Sequence, residues 1–167
     1  IPLFFDGKSE GMKNVYRENL RNWLDRGDWS DWFAVTLTMR QTIVSDSGEK
    51  VFIDADQAGR NLRHFLNKLN VKTYGNAFKR YNKRLEVIPT YEYADGKHLH
   101  YHLIIKKPQR LTDRRFDSLI RTNWISTDWG LWSIDIKRVS NSGWLEYVTK
   151  DTSVDFENVD IGNLWLS

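Results

Sequence analysis

Apolar residues recur at helical spacing after Ser9, where Met12, Val15, Tyr16, Leu20, Trp23 and Leu24 share one face. Ser9 suits an N-cap and Gly27 a stop, so an extra N-terminal helix is expected there. The period then changes. Phe33 to Ile43 is β-branched and mostly alternating, as in a strand, and Ser45-Asp46-Ser47-Gly48 reads as a turn from which Val51 to Ile53 pairs back as a short edge strand. Asp54 or Asp56 caps a second helix with Leu62, Phe65, Leu66 and Leu69 as its apolar stripe. Leu85 to Tyr93 and Lys97 to Lys106 read as a hairpin across Asp95-Gly96, and Pro108 stops its second strand. Thr112 caps a third helix carrying Phe116, Leu119, Ile120 and Trp124. Leu131 to Val139 is a strand with Trp132, Ile134 and Ile136 on one face, and Asn141 or Ser142 opens a last helix through Lys150.

Without the first helix the order is strand, helix, strand, strand, helix, strand, helix. This is the split βαβ pattern of ferredoxin-like folds with an added C-terminal helix, so the expected class is α+β. Its sheet is antiparallel, with the first and third principal strands at the centre. The strand from Lys97 to Lys106 is the third.

The 167 residues contain no repeat, low-complexity tract or Pro/Gly linker, so residues 1–167 are expected to form one domain. Residues 151–167 form an acidic tail with Asp155, Glu157 and Asp160, in which Leu164, Trp165 and Leu166 should dock. No run approaches the roughly 20 apolar residues of a membrane helix. No signal peptide is expected, and a start at Ile1 reads as a processed or trimmed chain. The absence of cysteine excludes disulfides, thiolate metal sites and cysteine nucleophiles.

A net charge of +3 says little by itself. Its distribution says more, because Arg60 to Arg115 carries fourteen basic residues against four acidic ones. Such a surface suits phosphate, where Lys and Arg displace condensed counterions. Tyr74, Phe78 and Tyr81 interleave with Lys79, Arg80, Lys83 and Arg84, a pattern that suits stacking on unpaired bases.

Three of the four histidines fall in His98-Leu99-His100-Tyr101-His102. On a strand the three imidazoles share one face, and two of them at i and i+2 can chelate one metal ion. Glu92, on the partner strand, is the candidate third ligand, and hairpin register decides whether it reaches. A two-residue Asp95-Gly96 loop pairs Glu92 with Leu99, on the wrong face. A three-residue Ala94-Asp95-Gly96 loop with a bulge pairs it with His98, diagonal to His100, and glycine belongs at the last position of that turn. Further on, Tyr147 and Lys150 are spaced i, i+3 and share a helix face.

Taken together these segments resemble the single-tyrosine HUH endonucleases, the nicking domains of rolling-circle replication initiators (Rep). Phe33-Ala34-Val35-Thr36-Leu37-Thr38 is similar to the family's first, hydrophobic strand motif. His100-Tyr101-His102 before Leu103-Ile104-Ile105 is similar to its His-hydrophobic-His motif, and Tyr147-Val148-Thr149-Lys150 to its YxxK motif. Glu92 matches the acidic residue that precedes the histidines. His98-Leu99-His100 also fits the second motif, but the apolar run follows the later pair. His98 is then an extra ligand, a DNA contact or a bystander.

The resemblance implies metal-dependent, sequence-specific nicking and joining of single-stranded DNA through a 5′-phosphotyrosine intermediate. Tyr147 would be the nucleophile, with Lys150 favouring the phenolate or neutralising phosphate charge. His100, His102 and Glu92 would hold Mn2+ or Mg2+. Lys79, Arg80, Lys83, Arg84, Lys106, Lys107 and Arg110 would bind DNA. The implied setting is initiation of rolling-circle replication of a plasmid, phage or small DNA virus. The implied partner is single-stranded DNA at an origin hairpin or iteron region, with a host or fused helicase and no membrane. The expected location is a bacterial cytoplasm, or the nucleus for a eukaryotic virus. Relaxases carry their tyrosine ahead of the histidines, unlike this chain, whereas small single-tyrosine transposases share its order. A non-catalytic nucleic-acid-binding module and a metal-dependent hydrolase are the remaining alternatives.

Overall fold

A computed structural model describes residues 22, 28–92, 98–139 and 159–167. Of the expected first helix only Asn22, helical and exposed, falls among them. The Asp95-Gly96 turn and the expected last helix with Tyr147 and Lys150 lie outside the described residues.

Four strands form one antiparallel sheet: β1 (Trp32–Met39), β4 (Val87–Glu92), β5 (His100–Lys106) and β6 (Gly130–Arg138). Their order is β4-β5-β1-β6, so the first and third principal strands are central, as expected from the pattern. The helices are α1 (Ala55–Tyr74), the short α2 (Asn76–Tyr81) and α3 (Asp113–Ile125).

The strand expected to run from Phe33 to Ile43 is interrupted. β1 stops at Met39, and β2 (Thr42–Val44) pairs with β3 (Lys50–Phe52) as a separate hairpin turned at Gly48. Gln41 explains the break. Its Nε2 donates to Met39 O at 2.9 Å and to Leu99 O at 3.2 Å, while its Oε1 accepts from Leu99 N at 3.0 Å. A side-chain amide thus satisfies the Leu99 backbone where β1 would otherwise continue, and the main chain is free to turn away.

Of the two candidate caps of the second helix, Asp54 does the work, accepting from Gln57 N at 2.7 Å, whereas Asp56 pairs with Arg60. α1 ends at Gly75, whose φ of 53° is left-handed, and Thr112 caps α3 as expected. The stripe Leu62, Phe65, Leu66 and Leu69 of α1 joins Phe116, Ile120 and Trp124 of α3 against Val35, Leu37, Leu103 and Ile105 of the sheet.

The opposite face has a smaller core at one end only, formed by Trp32, Ala34, Ile88, Ile104 and Val139. The end of the chain covers it. Trp165 exchanges backbone hydrogen bonds with Val87, Val159 bridges to Thr90, and Leu164 and Leu166 pack on this core. The edge of β4, which carries Pro89, is thereby partly paired.

β6 corrects a second expectation. Ile134 is buried, but Trp132 is 82% exposed. β6 is an edge strand, and its register against β1 jumps from Leu37↔Ile134 to Met39↔Gly130, so an irregular stretch at Leu131 to Ser133 opposes Thr38 and frees Trp132 from the sheet face.

Trp124 ties α3 to the sheet: it is fully buried, its Nε1 donates to Thr38 O at 2.9 Å, and its ring meets Phe65 edge-on at 5.4 Å. Trp124→Ala is expected to lower stability by about 3 to 5 kcal/mol, read as a lower urea midpoint at unchanged m-value. A loss below about 1 kcal/mol would show that this contact does not anchor the helix.

Candidate metal centre

Side chains alternate across a strand, and in an antiparallel pair directly opposed residues share a face. The register sets Glu92 opposite His100, Thr90 and Thr36 opposite His102, and Thr38 opposite His100. The imidazoles and the carboxylate therefore stand on the face away from α1 and α3, beyond the end of the small core.

Glu92 pairs with His100, two residues on from the His98 expected of the three-residue turn. Residues 93–97, which connect the two strands, lie outside the described residues. Since the shift is an even number of residues, Glu92 keeps the imidazole face. His98 lies ahead of β5 and is exposed, outside the group of ligand atoms.

Three acceptor atoms converge. Glu92 Oε2 lies 3.1 Å from His100 Nε2 and 3.0 Å from His102 Nε2. The other ring nitrogens are engaged: His100 Nδ1 lies 2.9 Å from His98 O, and His102 Nδ1 lies 3.1 Å from Thr36 Oγ1. A carbonyl only accepts, so His100 Nδ1 carries its proton there and, in the neutral ring, Nε2 keeps its lone pair. Thr36 can accept from His102 in the same way. Two imidazole lone pairs and a carboxylate oxygen cannot hold one another at hydrogen-bond distance without a proton or a cation between them. The donor set fits a divalent metal ion, which Glu92 Oε2, His100 Nε2 and His102 Nε2 would hold.

With a proton rather than a cation between them, His102 Nε2 donates to Glu92 and holds its carboxyl below the ordinary pKa, against a smaller opposing effect of burial. With Glu92 half-exposed and each imidazole about one quarter exposed, the centre is open to a ligand from solvent.

Between the two imidazoles, Tyr101 points to the other face and is buried. Its hydroxyl donates to Asp160 Oδ2 at 2.9 Å, and Asn163 Nδ2 donates to the same oxygen and to Gly59 O. Burial, reinforced by the Asp160 charge, pushes the Tyr101 phenol far above its ordinary pKa. It is a fixed donor that ties β5 to the end of the chain and to α1.

Thr36, the His98 carbonyl, Gln41 and Asp160 were not among the site residues expected from the sequence. The signal for Thr36 was its place on the imidazole face, visible only once β1 is paired with β5. The others act through backbone or buried contacts that leave no pattern in the chain.

The cations expected to meet DNA gather at the other end of β5. Lys79, Arg80, Lys83, Lys106 and Arg110 are exposed and Arg84 is half-buried. Lys107 is different: it is buried, donates to Leu111 O at 2.8 Å and pairs with Asp31 at 3.4 Å, so its charge is committed inside the fold.

Residues 32–155 match the family described as replication-associated protein ORF2/G2P. The chain belongs to that family. No curated protein and no solved structure matches it. In this replication-associated protein no helix among the described residues is long and apolar enough to cross a membrane.

The geometry orders the ligand variants. His100→Ala, His102→Ala and Glu92→Gln should each weaken Mn2+ binding by tenfold or more, whereas His98→Ala should stay within about threefold, because only its carbonyl is used. Thr36→Val, which removes the partner of His102 Nδ1, should cost about tenfold. Calorimetric titration with Mn2+ measures all five, and a large loss in His98→Ala with none in His102→Ala would reassign the ligands.

Proposed function

We propose that this replication-associated protein initiates rolling-circle replication by nicking and rejoining single-stranded DNA at an origin, with Tyr147 as nucleophile. The observation that carries the reading is the meeting of Glu92 Oε2 with His100 Nε2 and His102 Nε2 within 3.1 Å on an open sheet face. Family membership supplies the biological context. The strand order is the one a split βαβ sequence produces, and we read the fold as ferredoxin-like.

Tyr147 is chosen as nucleophile because Tyr147-Val148-Thr149-Lys150 resembles the YxxK motif. Tyr101 and Tyr91 alternate with the ligands and so belong to the opposite face, and Tyr101 is locked as a donor. Tyr147 alone among the tyrosines is followed three residues later by lysine. The described residues on either side of it, Val139 and Val159, lie at opposite edges of the sheet that carries the centre.

In the reaction the Tyr147 oxygen forms a bond to the scissile phosphorus and the bond from phosphorus to the 3′ oxygen breaks. The phenol proton ends on the departing 3′ hydroxyl. Tyrosine is protonated at neutral pH, and the Lys150 charge favours its phenolate or offsets charge on the phosphate. A divalent ion bound at the centre would supply Lewis acidity toward a phosphate oxygen. Two imidazoles and one carboxylate form a donor set that would accept Mg2+ or Mn2+. One phosphodiester replaces another, so the intermediate conserves bond energy and the free hydroxyl can reverse the step. Lys79, Arg80, Lys83, Arg84, Lys106 and Arg110 would bind phosphates of the DNA.

Incubation with a labelled single-stranded origin oligonucleotide and Mn2+ tests the reading. A covalent protein–DNA adduct is expected that disappears in Tyr147→Phe and His102→Ala and forms about a hundredfold more slowly in Lys150→Ala. Cleavage that survives Tyr147→Phe would indicate a metal-dependent hydrolase, and binding without an adduct would indicate a non-catalytic module.

A further inference from the structure

At the end of β5 remote from His100, three cations lie over aromatic rings. Lys83 Nζ lies 5.3 Å and Arg110 Cζ 5.5 Å from the centroid of the Tyr74 ring. Arg84 Cζ lies 5.0 Å from the Phe78 ring and 5.2 Å from the Trp165 ring, and its Nε donates to Asn82 Oδ1 at 2.6 Å. A cavity of about 430 Å3 opens among Tyr74, Lys83, Arg84, Lys106 and Trp165.

The charges here are unbalanced. The two carboxylates of the cavity wall are answered by lysines, Glu86 by Lys106 and Asp31 by Lys107, each at 3.4 Å. Among the described residues no carboxylate forms an ion pair with Lys83, Arg84 or Arg110, whereas Arg60, Arg121, Lys137 and Arg138 each have one. Three cations are therefore held over rings with no carboxylate partner among the described residues. Side chains already held in place lose less freedom on meeting a ligand.

We propose that this cavity grips the sugar-phosphate backbone of double-stranded DNA, independently of sequence. The inference rests on the nucleic-acid reading above and adds where a duplex is held. A site for single strands pairs its cations with free rings on which bases stack. Here Tyr74, Phe78 and Trp165 are each covered by a cation, and Tyr81 is exposed with no cation over it among the described residues. Charge without stacking suits a duplex, which shows phosphates outward and keeps its bases inside. Lys106 is six residues along β5 from His100, about 20 Å at roughly 3.3 Å per residue. That equals about six base-pair steps at 3.4 Å each, so the grip falls within one turn of duplex from the metal centre.

The test is fluorescence anisotropy of a 20-base-pair DNA of arbitrary sequence across a salt series. The triple variant Lys83→Ala/Arg84→Ala/Arg110→Ala should bind at least tenfold more weakly at about 0.1 M salt, and its slope of log K against log salt should be shallower by about 2.7, near 0.9 for each lost phosphate contact. The charge-conserving Lys83→Arg/Arg84→Lys/Arg110→Lys should keep the slope within about one, and Tyr81→Ala should leave it unchanged. If circular dichroism shows the triple alanine variant unfolded, Arg110→Gln at an exposed position reads one contact, a loss of about 0.9. An unchanged slope in the folded variants, or a wild-type protein that does not bind duplex, overturns the proposal. Adduct formation on a single-stranded oligonucleotide is scored in parallel. An adduct with unchanged slope defeats the grip alone, and a lost slope without an adduct in the wild type defeats only the nickase reading.

Discussion

A slip of one residue between β4 and β5 would turn Glu92 away from both imidazoles, and a slip between β1 and β5 would take Thr36 from His102. The candidate centre is thus a property of strand register. Several contacts hold that register. The Gln41 amide occupies the Leu99 backbone next to the first ligand. Tyr101, between the two imidazoles, is bound to Asp160 on the far face. Val35, Leu37, Leu103 and Ile105 fill the core beneath, where their burial leaves no neutral alternative pairing.

The two faces of the sheet divide the labour. One is packed by α1 and α3 and supplies the stability. The other is apolar at one end, under the end of the chain, and polar at the other, where the ligands stand. A metal site needs a rigid scaffold and an open approach together, and a central strand with one packed face provides both. The segment from Val159 to Leu166 serves each side: it pairs with the edge of β4, its Asp160 reaches Tyr101, and its Trp165 lies under Arg84.

Much of the fold was legible in the chain because its periods are clean. The stripe of α1, the Thr112 cap and the four principal strands follow from local pattern, whereas the choice of Asp54 over Asp56 as the cap of α1 came from the structure. The end of β1 was not legible, because a side-chain amide rather than a proline or glycine stops it. The exposure of Trp132 was not legible either, since a register jump against a neighbouring strand has no local signature. Lys107 looks in the sequence like its neighbour Lys106, yet one is buried and the other exposed.

By itself the sequence determined the candidate ligand types, their two-residue spacing on a strand and the chemistry such groups can support, since these depend only on residue identity and strand period. The tertiary structure decided which atoms meet. It put Glu92 opposite His100, turned both Nε2 atoms inward by engaging the Nδ1 atoms, and reduced His98 to a carbonyl. The physical reason is that alternation assigns a residue to a face, whereas convergence within 3.1 Å depends on pairing between strands distant in the chain, which local preference does not encode.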